Sequence, residues 1–355
     1  MKISIIVPIY NVEEYILNCL SSIVNQKKIV HSVECILVDD HGQDNSMQLA
    51  KHFIEEYSGD VEFKIVVHER NRGLSVARNS GLSECMGDYI LFLDSDDTLP
   101  EDSLYNLSKP LEFYHYDFVL GQINTMGLVS ESPSLFLDEG EYMGNEVVRE
   151  TYLNHKWYMM AWNKLCNTNF LRKAHLYFEE GLIHEDDLWS FMLSLRADNF
   201  YVVRKSTYNY IIRGNSITTA KKQIVHIDSY LTIANKIADY IQAYSLKSEY
   251  VLFCHQYILG TYVYLRRLGF IEGYKKYKEI IKNKLYVNYY KIILKQEVSP
   301  LVFKAKLAQY PPIVGYIGFR ILFSITSIKV LASDKESLVP VSSQANPRPS
   351  SCTLS

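Results

Sequence analysis

Four times in the first hundred residues a short apolar run ends abruptly in polar residues. Three of those runs give way to apolar positions at helical spacing. ISIIVPIY (3–10) is continuous enough to be a strand buried on both faces. Asn11 with Glu14 three residues on forms a capping-box pattern, and Tyr15, Ile16, Cys19, Leu20, Ile23 and Val24 follow at helical spacing. CILVDD (35–40) predicts a second strand, followed by a helix through Met47, Ala50, Phe53, Ile54 and Tyr57. FKIVVHE (63–69) predicts a third, with Leu74, Ala77, Leu82 and Cys85 on the next helix, and DYILFLD (88–94) a fourth. Alternation of this kind predicts an α/β fold with a mainly parallel sheet covered by helices on both sides. In such sheets ligands bind beyond the carboxyl ends of the strands. Tyr10–Asn11, Asp39–Asp40, Arg70 to Gly73 and Asp94 to Asp97 all fall at those ends.

Beyond about residue 130 the periodicity weakens. Residues 155–171 and 178–196 read as two short helical pieces with loops, and from about 223 to 331 the pattern is helical and rich in Tyr. Residues 264–306 hold eleven Lys/Arg against three Glu, a local balance of 11 − 3 = +8 in a chain whose net charge is −3. That block predicts a helical surface suited to an anionic membrane leaflet, or a solvated face around a small core. The overall charge gives no reason to expect nucleic acid as a partner. Six isolated cysteines without C-x-x-C pairs read as reduced thiols of a cytoplasmic protein, and the chain opens on a strand rather than a signal peptide. Segment 311–332 is apolar but carries Arg320 at its centre, which argues against a spanning helix. Residues 333–355, rich in Ser and Pro, predict a disordered tail.

LFLDSDDTL (91–99) carries the chemistry. Two carboxylates in a D-x-D arrangement can share a hard cation such as Mg²⁺ or Mn²⁺ while leaving coordination positions for a diphosphate. The same letters fit a haloacid-dehalogenase-like phosphatase with Asp94 as nucleophile. That reading places the nucleophile strand ninety residues late. A catalytically silent nucleotide-binding protein is a further alternative.

Five stretches in order, IIVPIYNVEEYI, ILVDDHGQDNS, NRGLSVARNSGL, ILFLDSDD and HEDDLW, resemble family 2 inverting glycosyltransferases with the GT-A nucleotide-binding fold. The likeness spans roughly residues 1–215 and implies a glycosyltransferase domain over 1–220 (nucleotide-sugar side 1–125, acceptor side 126–220), with a helical region over 221–332. It departs from the family at His41-Gly42-Gln43-Asp44, where G-S-x-D is usual.

The resemblance implies that Pro8 and Tyr10 lie against the nucleotide base and that Asp40 accepts a hydrogen bond from it, as uracil would offer. Glu13 would reach the nucleoside, or simply favour the dipole of a first helical turn. Arg72 and Gly73 would line the nucleotide pocket, and Arg72 and Arg78 would pair with phosphate or form surface ion pairs. Asp94 and Asp96, with Ser95 between them, would hold the ribose and the Mn²⁺ or Mg²⁺ ion, Asp97 being an alternate ligand. Asp186 would be the base that deprotonates an acceptor hydroxyl, with Asp187 the near alternative. Alternatively, the acidic trio opens a helix and complements its dipole. Glu185, Trp162 and Lys164 would shape the acceptor site, Trp162 as a sugar platform or a core residue. Arg213 would sit on a loop over the donor diphosphate. The donor would be a nucleoside-diphosphate sugar and the acceptor a glycan or lipid-linked hydroxyl. The absence of Q-x-x-R-W implies one sugar added per encounter.

Overall fold

The computed structural model describes residues 1–127, 135–212, 223–246 and 270–282, with Tyr250, Leu265, Leu268 and Ile317 as single positions. Arg213, the 311–332 segment apart from Ile317, and the 333–355 tail lie outside the described residues.

An eight-stranded sheet forms the centre of the first compact unit, Met1–Tyr264. Its strands are β1 (Lys2–Ile9), β2 (Ser32–Asp39), β3 (Glu62–Val67), β4 (Tyr89–Phe92), β5 (Phe118–Gly127), β6 (Gly140–Met143), β7 (Lys164–Asn167) and β8 (Asn199–Ile212), in the order β3-β2-β1-β4-β7-β5-β8-β6. The half built from β1 to β4 is parallel, as the alternating pattern predicts. Short β7 enters antiparallel to both β4 and β5, and β6 closes the far edge antiparallel to β8. The sheet is therefore mixed.

In β1, residues from Ile3 to Ile9 are all buried, which is why that strand reads as an unbroken apolar run. Edge strand β3 instead alternates between exposed and half-buried positions. The helices α1 (Ile16–Val24), α2 (Ser46–Glu56), α3 (Leu74–Glu84), α4 (Ser103–Ser108), α5 (Asn145–Leu153), α6 (Thr168–Lys173), α7 (Glu185–Arg196) and α8 (Gln223–Ala243) complete the unit. Helix α1 buries Ile16, Cys19, Leu20 and Ile23, the stripe expected from its spacing. Helix α3 lies so close to the sheet that a side chain at Gly81 would collide with Ile6. Among the described residues Cys19, Cys35, Cys85 and Cys166 are buried free thiols.

Two local expectations fail. Asn11 does not cap α1: it adopts a left-handed conformation (φ 53°), a turn follows, and the helix begins at Ile16. Its side chain instead accepts from the Gln43 backbone at 2.7 Å, lacing the loop after β1 to the loop after β2. The helical piece expected at 155–171 is also absent as such. Trp157 packs against Phe118 and Tyr152, the chain then runs into β7, and only α6 is helical, capped by Asn167 accepting from Phe170 N at 2.9 Å. Those apolar residues fill an aromatic core rather than one helix face. The helix expected at 178–196 begins later, at Glu185.

In the second unit, Leu265–Ser355, the described helix α9 (Phe270–Lys282) buries Gly273 and Tyr277 and exposes Ile271, Glu272, Lys275 and Glu279. No helix among the described residues is long and apolar enough to cross a membrane.

Candidate active site

Helix α3 points Arg78 beneath the carboxyl ends of the parallel strands, fully buried. Its guanidinium gathers three carboxylates from distant parts of the chain. Nη2 donates to Asp94 Oδ1 at 2.8 Å, and Nη1 donates to Glu185 Oε1 and Asp186 Oδ1, each at 2.7 Å. Asp94 follows β4, while Glu185 and Asp186 open α7. One buried cation thus welds the D-x-D turn to the acidic start of that helix. Burial works against the charge on Arg78, but Asp186, Asp94 and Glu185 outweigh it and hold the guanidinium ionised. The phosphate contact expected of Arg78 is accordingly replaced by this carboxylate contact.

The carboxylates themselves respond to burial. It raises the Asp186 and Glu185 carboxyls above their ordinary values against the opposing pull of Arg78. Asp187 is pushed up to about 8, by burial and then by the charges of Asp186 and Glu185. These three residues also occupy the first turn of α7, where a carboxylate complements the helix dipole. His184, in a left-handed conformation (φ 67°), turns the chain into α7 and contacts His226 of α8 at 2.9 Å.

Asp94, Asp96 and Asp97 bring ligand oxygens within 4.8 Å of one another, a set of hard donors that suits Mg²⁺ or Mn²⁺. Of the three, Asp97 is committed to the fold. It is buried, Tyr208 donates to its Oδ2 at 2.8 Å, and Ile211 N donates to Oδ1 at 2.7 Å. Burial, then the charges of Asp96 and Asp94, push its carboxyl up to about 8. Asp94 retains one oxygen beyond the one held by Arg78, and Asp96 is half-buried. Asp94 and Asp96 are therefore the pair that fits a metal, with Ser95 buried between them.

The nucleotide side lies at the ends of β1 and β2. Tyr10 is 45% exposed and offers an open ring face, whereas Pro8 is buried in β1. Asp40 is buried and its Oδ1 faces His68 Nδ1 at 2.7 Å and accepts from Arg72 N at 2.8 Å, while Oδ2 accepts from Gly73 N at 2.8 Å. It thereby fixes the loop that enters α3, where Gly73 holds φ +86°. Glu13 reaches across to the start of α2, accepting from Asn45 N at 2.9 Å, and so ties two loops together. The Arg72 side chain is about half exposed and lies 4.0 Å from Glu180.

Three expected acceptor residues do not face open space. The buried Trp162 ring stacks on Tyr208 and Tyr210, with centroids 4.4 and 5.3 Å apart, so it serves the core rather than a sugar. Lys164 is completely buried, and Glu185 is taken up by Arg78. Sequence reasoning missed Tyr208, which donates to Asp97 and accepts from Asp94 N at 3.2 Å, and His68, the brace of Asp40. Tyr208 stands within β8 and His68 just beyond the end of β3. Only the place of His68 at a strand end could have singled it out; nothing in the sequence marks Tyr208.

The carboxylates of Asp94, Asp96 and Asp186 thus gather beyond the carboxyl ends of the parallel strands, where α/β sheets bind ligands. Residues 4–158 match the family model "Glycosyl transferase family 2". The chain is 30% identical over 232 residues to the glycosyltransferase GlyA of Streptococcus pneumoniae, covering 61% of this chain and 31% of that protein. It is 28% identical over 221 residues to the poly(ribitol-phosphate) beta-N-acetylglucosaminyltransferase TarP of Staphylococcus aureus, covering 62% of this chain and 64% of that protein. The fold is similar to that of S. aureus TarS 1–349 in complex with UDP-GlcNAc, with a TM-score of 0.73 at 20% identity over 92% of each chain. Over residues 4–158 the chain is similar to family 2 glycosyltransferases, and its fold is of the GT-A type.

Proposed function

We propose that this protein is an inverting glycosyltransferase. In this reading it moves one sugar from a UDP-linked donor to a hydroxyl of a glycan or lipid-linked acceptor in surface polysaccharide synthesis. The observation that carries the reading is the shared guanidinium of Arg78, which ties Asp94 of the D-x-D turn to Asp186. A donor diphosphate at the turn and an acceptor hydroxyl at Asp186 then sit on either side of one anomeric carbon. The UDP-GlcNAc complex of TarS and the activity named for TarP support UDP-N-acetylglucosamine as the first donor to try.

Arg78 holds Oδ1 of Asp186, and the carboxylate keeps lone-pair capacity to take the acceptor proton. The hydroxyl oxygen attacks as the bond to the diphosphate breaks from the opposite face, giving inversion, UDP and a protonated Asp186. A divalent cation held by Asp94 and Asp96 would neutralise charge on the leaving diphosphate. Tyr10 would stack on the base, with the buried Pro8 shaping the strand end beneath it, and Asp40 retains acceptor capacity at Oδ2 for a base N–H. Arg72, Gly73 and Glu13 complete the nucleoside rim, and Arg213 is assigned to the donor diphosphate. The basic helical region beyond residue 264 would rest on an anionic membrane face and bring lipid-linked acceptors within reach.

Asp186→Asn tests the assignment. Turnover, read as UDP release with glycan acceptors, should fall by about 10³-fold with UDP affinity kept within about threefold. Unchanged turnover would remove Asp186 from the base role.

A further inference from the structure

Three neighbouring strand ends put Tyr10, Asp40 and His68 in one row. The parallel registers pair Ile9 with Asp39 and Asp39 with Val67, and each residue of the row is the one just past its strand. Backbone bonds continue across it, Asp40 N donating to Ile9 O at 3.0 Å and His68 N to Asp39 O at 2.9 Å. Asp40 and His68 are buried, whereas the Tyr10 ring is open. The His68 side chain joins two elements: Nδ1 faces Asp40 Oδ1 at 2.7 Å, and Nε2 faces Ser80 Oγ on α3 at 2.9 Å. The carboxylate opposite Nδ1 assigns the proton to that nitrogen, and the Ser80 hydroxyl can then donate to Nε2.

Oδ1 of Asp40 accepts from His68 and from Arg72 N, and Oδ2 accepts from Gly73 N. A carboxylate oxygen has two lone pairs, so Oδ1 is filled and Oδ2 keeps an acceptor position. Given a nucleotide base seated on Tyr10 and Asp40, as in the proposed function, we propose that His68, supported by Ser80, is the positioning residue that sets base selectivity. Torsion about the Cβ–Cγ bond of an aspartate is soft, so a loosely held carboxylate can turn to suit a different partner. Donors from two elements remove that freedom and keep the remaining position of Oδ2 in one direction. The Arg72 and Gly73 amides belong to a largely exposed loop, while His68 and half-buried Ser80 anchor the carboxylate in the sheet and α3. An acceptor fixed there takes the ring N–H of uracil and meets the N3 lone pair of cytosine. A buried acceptor left facing another acceptor is costly, which discriminates more sharply than apolar contact.

Titration calorimetry of the full chain with UDP and with CDP, at one Mn²⁺ concentration, reads this selectivity. The parent should bind UDP about a hundredfold tighter than CDP. His68→Phe, which offers Asp40 no donor, should reduce the preference to about threefold by weakening UDP and leaving CDP unchanged. His68→Asn, whose amide N–H can stand near the position of Nδ1, should restore most of it, and Ser80→Ala should fall between parent and His68→Phe. A role in packing alone would weaken both nucleotides together and leave their ratio intact. A parent without a preference for UDP, or a His68→Phe variant that keeps the parent's preference, would overturn the proposal. Should His68→Phe fail to fold, Ser80→Ala decides, and an unchanged preference there overturns it. Sugar transfer is read separately, as UDP release from UDP-N-acetylglucosamine. A parent that tells UDP from CDP yet transfers nothing removes the transferase reading and leaves the role of His68 to the ratios.

Discussion

Arg78 decides more about this site than any carboxylate does. Deprived of it, Asp94, Glu185 and Asp186 would face one another without the guanidinium that pairs all three. Removing one partner from a buried, hydrogen-bonded ion cluster costs about 3–5 kcal/mol, because the remaining charges stay buried. Arg78→Met should therefore lower the melting temperature by about 10 °C in a domain of this size. Differential scanning calorimetry checks this, and a shift within about 2 °C would mean the cluster is solvated rather than buried. The sequence announced the type of each charged residue but not the partners. Arg78 reads as a phosphate ligand because guanidinium suits phosphate, and only folding reveals that three carboxylates reach it first. Trp162 and Lys164 mislead for the same reason. Aromatic and cationic side chains suit sugars and suit crowded cores equally, and burial chooses between them.

Among the elements, α3 is held by its proximity to β1. Gly81 faces Ile6 with no room for a Cβ, so helix and strand approach more closely than a larger residue would allow. Alanine gains about 1 kcal/mol of helix propensity over glycine, while overpacking costs about 1–3 kcal/mol. The second effect should win. Gly81→Ala is expected to destabilise the protein by about 1 kcal/mol and to loosen Arg78 from its partners. Chemical denaturation gives the sign directly, and a stabilised variant would show that α3 can move away freely. The parallel strands and the first three helices were legible because β1, β2 and β4 are buried on both faces and α1 shows one clean stripe. Strand β7 was not, because four residues wedged between β4 and β5 carry no period of their own. Neither was β8, whose Tyr-rich run supplies the hydroxyl and amide that fix Asp97.

The whole molecule combines a GT-A-type sheet unit with a second, basic unit from Leu265 onward. Helix α9 has a buried edge at Gly273 and Tyr277 and exposes Lys275, and an excess of eight positive charges runs through 264–306. Each lysine or arginine near an anionic leaflet contributes about 1 kcal/mol, so such a block can hold a protein at a membrane without a spanning helix. Flotation with phosphatidylglycerol vesicles should carry the chain upward at low salt and release it at high salt, and a chain that stays in the soluble fraction at low salt would end that proposal. In the proposed reading, Asp94 and Asp96 clamp a cation-bound diphosphate beside Asp186. Calorimetric titration of UDP with Mn²⁺ and with a chelator, in the parent and in Asp96→Ala, tests it most directly. Mn²⁺ should tighten UDP binding about tenfold or more in the parent, and that difference should be lost in Asp96→Ala. Equal affinity with and without Mn²⁺ in the parent would contradict it.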